Sequence, residues 1–214
     1  MKLNSLLLCG LLAAGFDAHA DKKPVLTNEH VDIGVAFEDG EWDLHVHDET
    51  NDVEYEPSGA VLSVGAIARA KVTVDPVFAF LGKPGSTVWI LPQVQNPDLI
   101  FLGFGAEEIP PGLFLNDSYE LHLKKVKGGH FAVWDVDSFG TPQVLMNTRD
   151  GVGAADVFIG QAQGHQDLNW AFSKPGRYRV TFEARATLAD GTVVSSGDVT
   201  YRFDVRRKPK ASKT

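Results

Sequence analysis

His30-Val31-Asp32-Ile33-Gly34-Val35-Ala36-Phe37-Glu38-Asp39-Gly40-Glu41-Trp42-Asp43-Leu44-His45-Val46-His47-Asp48-Glu49 reads as one antiparallel hairpin, and the rest of the chain is best understood from its register. Apolar Val31, Ile33, Val35 and Phe37 alternate with polar or small residues, as do Trp42, Leu44 and Val46, the period-two pattern of strands with one face in a core. The turn falls on Glu38-Asp39-Gly40-Glu41. With Phe37 facing Trp42, Val35 lies opposite Leu44 and Ile33 opposite Val46. The outer face then carries Gly34 opposite His45, Asp32 opposite His47 and His30 opposite Glu49. Directly opposed Cβ atoms are about 5 Å apart, so imidazoles and carboxylates gather in a patch small enough for one divalent cation. A slip of one residue would bury the charges and expose Trp42.

Outward from the hairpin the pattern stays that of short strands and turns. Ala60-Val61-Leu62-Ser63-Val64 and Val72-Thr73-Val74 are apolar stretches without helical period. Phe78-Ala79-Phe80-Leu81-Gly82 and Thr87-Val88-Trp89-Ile90-Leu91 are split by the turn signal Lys83-Pro84-Gly85-Ser86. Leu99 to Gly105 is a continuous apolar run, which fits a strand covered on both faces. Tyr119–Leu123, Phe131–Val136, Gly176–Ala184 and Val199–Val205 alternate, the last two joined through Ala189-Asp190-Gly191-Thr192. Tyr178, just inside its strand, matches the tyrosine that anchors a corner late in immunoglobulin-like sandwiches. The expectation is a single all-β domain, an immunoglobulin-like antiparallel β-sandwich over residues 21–205. Its core should hold Val31, Ile33, Val35, Trp42, Leu44, Val46, Trp170, Tyr178, Val180, Phe182, Tyr201 and Phe203.

The ends bound the compartment. Lys2, the apolar run Leu6 to Phe16 and Ala18-His19-Ala20 have the layout of a secretory signal peptide over residues 1–20, cleaved after Ala20. No later stretch approaches the ~20 apolar residues of a membrane span. The expected mature chain is secreted, periplasmic or at the cell surface. It lacks Cys9, the one cysteine, and so depends on its core rather than on a disulfide. The formal net charge is −8, with or without residues 1–20, which argues against nucleic acid as a partner. Residues 206–214, Arg-Arg-Lys-Pro-Lys-Ala-Ser-Lys-Thr, are basic and without anything to bury, and are expected to be disordered.

Two stretches carry ligand chemistry. His45-x-His47 places two imidazoles on one strand face about 7 Å apart, with Asp32 and His30 across the pair, so the two rings can converge on one ion if another ligand arrives from elsewhere. A solvated polar face, or a metal-free pH-sensing cluster, would look the same at this level. In Gly164-His165-Gln166-Asp167-Leu168-Asn169-Trp170, alternation puts His165, Asp167 and Asn169 on one side and Leu168 and Trp170 on the other. The Asp135-x-Asp137 stretch lacks the further oxygens of a calcium loop and reads as a turn. No nucleophile elbow, phosphate-cradling glycine loop or His-Glu-x-x-His helix occurs.

The blocks HVDIGVAFEDGEWDLHVHDE, FAFLGKPGSTVWILPQVQNPDLIFLGFGAEEIPPGLF and GHQDLNWAFSKPGRYRVTFEARATLADGT together resemble the bacterial surface-anchored protein repeat domain, first described in actinobacteria and also called the choice-of-anchor M domain. The likeness covers about residues 29–205. It implies an exported domain between a signal peptide and a cell-surface anchor, often encoded beside metal-type ABC transporters. This chain holds one copy and no recognisable anchor. Where that family commonly has His-x-His before Asn-Trp, His165-Gln166-Asp167 stands here, so the likeness carries over to His165, and Asp167 offers a harder, anionic ligand.

The expected function is therefore non-catalytic binding of a divalent metal ion, zinc, copper or manganese, in support of uptake by a metal-type ABC transporter. The expected ligands are His45, His47, His165, Asp32, His30 and Asp167, with ring nitrogens of His45, His47 and His165 within ~5 Å of one another around a common ion. The alternative is a structural or adhesive surface module for a protein or glycan. A metallohydrolase reading is held in reserve.

Overall fold

The computed structural model describes residues 22–207. The expected leader lies outside the described residues, as does the expected tail beyond Arg207.

The hairpin forms in the expected register. Strands His30–Glu38 and Glu41–Asp48 pair antiparallel, with Phe37 opposite Trp42, Ile33 opposite Val46, Gly34 opposite His45 and Asp32 opposite His47. Asp39 and Gly40 both take positive φ, 50° and 87°, which is what a two-residue turn matching the strand twist demands and what Asp-Gly tolerates. One face of the hairpin buries Val31, Ile33, Val35, Leu44 and Val46. Trp42 differs from expectation: it is half-buried at the rim, stacked 5.3 Å from Phe114 and edge-on to Phe37 at 5.1 Å.

The architecture is an all-β sandwich. A seven-stranded sheet runs Val25–Leu26, Val61–Val64, Val199–Val205, Gly176–Thr187, Ser118–Lys127, Val157–Gln161, with Val193–Ser195 on the Gly176–Thr187 strand. Against it lie two five-stranded sheets. One is Pro142–Asn147, Phe131–Val136, Asn169–Phe172, Thr87–Leu91, Arg69–Lys71; the other is His165–Asp167, Phe101–Gly105, His30–Glu38, Glu41–Asp48, Val53–Tyr55. Aromatic residues from both layers meet in the main core. The fully buried Trp170 ring sits 5.1 Å from Phe104, 5.9 Å from Phe131 and 6.2 Å from Phe203, and its Nε1–H donates to the Leu102 carbonyl at 2.9 Å. Leu168, also fully buried, is where the chain passes from one five-stranded sheet to the other.

Pairing is mostly antiparallel, but His30–Glu38 with Phe101–Gly105, and Val61–Val64 with both of its neighbours, run parallel. Pro76–Leu81 is a 3-10 helix. Asp75 caps it by accepting from the Val77 N–H at 3.1 Å, Pro76 pre-sets the first turn, and the segment covers a satellite cluster of Val72, Val88 and Trp134. The Tyr178 hydroxyl donates to the Lys174 carbonyl at 3.0 Å, so that tyrosine does anchor its corner. Arg206, expected to belong to a disordered tail, is instead tied down just past the end of the last strand: its N–H donates to the Val64 carbonyl, its Nε to Ser63, and its carbonyl accepts from Trp89 Nε1.

On the outer face of the seven-stranded sheet, Arg185 above all, then Lys124 and Ser195, hold the Glu183 carboxyl down at about 2. A lowered folded value means stabilisation that is complete above the unfolded value of ~4.3 and is lost as pH falls through about 2. Thermal melts between pH 5 and 2 should fall less steeply for Glu183→Gln than for the parent chain; parallel curves would refute this.

Candidate metal centre

The register writes two rows across one face of the second five-stranded sheet. One reads His165, Gly105, Gly34, His45, and the other Asp167, Gly103, Asp32, His47. Directly paired residues share a face, so all the expected ligands in these rows project to the same side. Glycine in the middle strands leaves a trough into which the flanking side chains fold. A Cβ on Gly103 would lie 2.6 Å from Asp32 Oδ1 and 3.0 Å from His165 Nε2, one on Gly105 2.7 Å from Glu107 Oε2, and one on Gly34 would overlap the His45 ring.

This face is covered, contrary to the expectation of an outward patch. Asp32 is 1% exposed and His45 5%. The cover comes from the edge strand His165–Asp167 and from the Ala106–Ile109 turn that follows the glycine strand, whose Glu107 and Glu108 reach back over the hairpin.

Two groups result. In the first, one ligand atom from each of His30, Asp32, His165 and Asp167 lies within 4.8 Å of the other three. Asp32 Oδ1 is 3.1 Å from His165 Nε2, and Asp167 Oδ1 is 3.4 Å from His30 Nε2 and 3.7 Å from His165 Nε2. His30 Nε2, Asp32 Oδ2 and Asp167 Oδ1 are buried with no hydrogen-bond partner; the 3.4 Å approach of His30 to Asp167 does not have hydrogen-bond geometry. The His30 ring packs 4.9 Å from Phe101 and edge-on to His165 at 5.2 Å, which holds its orientation. The hydrogen bond with Asp32 raises His165 to about 9, against the opposing effect of burial, whereas burial raises Asp167. An ion bound at His165 has to displace the proton that Asp32 helps this imidazole to hold.

In the second group, ligand atoms of His45, His47 and Glu108 lie within the same 4.8 Å limit. His47 Nδ1 is 2.9 Å from Glu49 Oε1, and its Nε2 is 3.9 Å from Asp52 Oδ1. His45 Nε2 is 3.9 Å from Glu108 Oε1, and His45 Nδ1 is buried without a partner. Burial raises the Glu108 carboxyl, with Glu54 and Glu38 adding to this and His45 and His47 opposing it. A cavity of about 10 Å³, lined by Asp32, Gly34, His45, His47, Glu107 and Glu108, lies at the second group, and Asp32 is the member of the first group that reaches it.

The six expected ligands therefore all sit on one face, divided between the two groups. His165 joins His30, Asp32 and Asp167 and does not complete the set begun by His45 and His47. The reason is the Phe101–Gly105 strand, which inserts between the edge strand and the hairpin, so His165 and His45 start three strand spacings apart, roughly 14 Å at the backbone. Glu49 is a partner of His47 rather than a member of either group. Glu108 went unrecognised in the sequence because it lies in a turn far from the hairpin; the nearest signal was the alternation of Gly103 and Gly105 just before it, which marks a strand leaving room for other side chains.

Ligands of one tetrahedral ion at about 2.1 Å are about 3.4 Å apart, so the first group needs only a small contraction to hold one. Among the described residues no helix is long and apolar enough to cross a membrane. No protein-family model matches the chain and no curated protein matches it, so the surface-anchored-domain resemblance rests on its sequence blocks.

Proposed function

We propose that this is an exported, non-catalytic domain that captures a divalent transition metal at the cell surface or in the periplasm, for handover to a metal-type ABC transporter. The observation that carries the reading is the first group: two imidazoles and two carboxylates converge within 4.8 Å, and three of their atoms are buried without a hydrogen bond. Buried polar atoms are nearly always satisfied, and an unpaired carboxylate oxygen in such a place costs about 1–3 kcal/mol or more. A cation bound by all four groups removes that cost. Imidazole with carboxylate and without thiolate suits zinc, manganese or copper(II) better than a soft monovalent ion.

Calorimetric titration of the purified chain with Zn²⁺ and Mn²⁺ tests this. The His30→Ala, His165→Ala double variant should lose at least 100-fold in affinity while keeping its far-ultraviolet circular dichroism. Unchanged affinity would overturn the assignment.

One observation favours a surface module for an anionic glycan instead. A groove of about 480 Å³ on the seven-stranded sheet is lined by Lys125, Lys127, Arg179 and Arg202 with Asp198 the one carboxylate among them, and Arg179 stands directly opposite both Lys127 and Arg202. Like charges so placed repel unless an anion lies between them. Binding of a uronate or sulfated polysaccharide that Arg179→Glu abolishes, in a chain that takes up no metal, would favour that reading.

A further inference from the structure

We infer that the chain takes up a second divalent ion on His45, His47 and Glu108, and that the buried Asp32 carboxylate serves both ions, one oxygen to each. The inference rests on the metal-binding reading and extends it from one ion to two.

Three features of the second group are those of a prepared site. Glu49 Oε1 lies 2.9 Å from His47 Nδ1, a carboxylate beside the imidazole of the kind that raises a ligand's basicity toward an ion. His45 lies over Gly34, in the space a side chain there would fill, and it is 5% exposed, so its ring has a defined place in the interior. Its Nε2 is 3.9 Å from Glu108 Oε1, while Nδ1, buried without a hydrogen bond, is 3.9 Å from Asp43 Oδ1. Two imidazoles and one carboxylate make the three-ligand set common for zinc, which needs a fourth donor.

Asp32 supplies that donor. Its Oδ1 faces His165 in the first group, its Oδ2 is buried and unpartnered, and the residue also lines the small cavity beside His45, His47 and Glu108. A cavity of about 10 Å³ is close to what a single water or bare cation occupies. Without a cation, Asp32 has a carboxylate oxygen in the interior facing nothing. With one on either side, both oxygens are used, as in two-ion centres where a carboxylate spans the pair.

Native mass spectrometry with Zn²⁺, with calorimetry for the two affinities, tests the stoichiometry. The parent chain should carry two ions. Glu108→Gln changes an exposed side chain that folding tolerates, and Gly34→Ala displaces the His45 ring; each should leave one ion, bound by His30, Asp32, His165 and Asp167. Asp32→Asn should weaken both steps by at least 10-fold, the scale on which loss of a ligand or its support acts. A single ion lost in His165→Ala but indifferent to Glu108→Gln and Gly34→Ala would overturn the second site and leave the first standing. Two ions of which only one responds to Asp32→Asn would overturn the shared carboxylate. No bound ion at all would overturn the metal reading itself.

Discussion

Replacing Trp170 with alanine is expected to lower the unfolding free energy by about 3–5 kcal/mol, the usual cost of emptying a large aromatic site in a core. Trp170 is 0% exposed and touches the rings of Phe104, Phe131, Phe182 and Phe203, so it joins both layers of the sandwich. Its loss also leaves the Leu102 carbonyl without the indole N–H it accepts from. Denaturant titration checks the value. The larger end of the range follows if the neighbouring rings cannot collapse into the space, and a loss below 1 kcal/mol would mean that the two layers are held by something other than this cluster. The effect should reach the metal centre as well, because Leu102, whose carbonyl accepts from the indole, directly precedes Gly103, and Trp170 is three residues beyond Asp167.

Gly103→Ala is expected to have the largest effect on ion uptake of any single small substitution. The added methyl carbon would lie 2.6 Å from Asp32 Oδ1, 2.9 Å from the Gln166 carbonyl oxygen and 3.0 Å from His165 Nε2. Two of these three are ligands of the first ion and the third is backbone, so the strain has no inexpensive outlet. An affinity loss of at least 100-fold is expected, with a destabilisation of about 1–3 kcal/mol from overpacking. Gly85→Ala, at a positive-φ turn with open space around it, serves as the control: it strains the backbone but should leave ion affinity unchanged. Equal ion affinities for parent and Gly103→Ala would show that the trough does not form the site.

The hairpin could be read from sequence because its pattern has one solution. Val31, Ile33, Val35, Leu44 and Val46 must share a face, and that condition alone places His45 opposite Gly34 and His47 opposite Asp32. The neighbour of the hairpin was not legible in this way. Strand Phe101–Gly105 is apolar on both faces, so its alternation does not state a partner, and its parallel pairing with His30–Glu38 joins residues about seventy positions apart. That one insertion moves His165 from His47 to Asp32. It also explains the burial of Asp32 and His45: a strand face that is polar in composition is taken as wet unless a covering element is known, and the cover here is the Ala106–Ile109 turn. At Pro76–Leu81 the apolar residues hid a helix start that Asp75-Pro76 spelled out. Trp42 kept its predicted face but sits where the hairpin leaves the core, against Phe114.

The central claim, that His30, Asp32, His165 and Asp167 hold a divalent ion, is tested most directly by anomalous diffraction at the zinc edge from crystals of the chain grown with Zn²⁺. The account predicts a peak about 2.1 Å from ring nitrogens of His30 and His165 and from a carboxylate oxygen of Asp32 or Asp167. Crystals that show zinc only at lattice contacts, with the His165 imidazole still paired to Asp32 as in the metal-free chain, would contradict it.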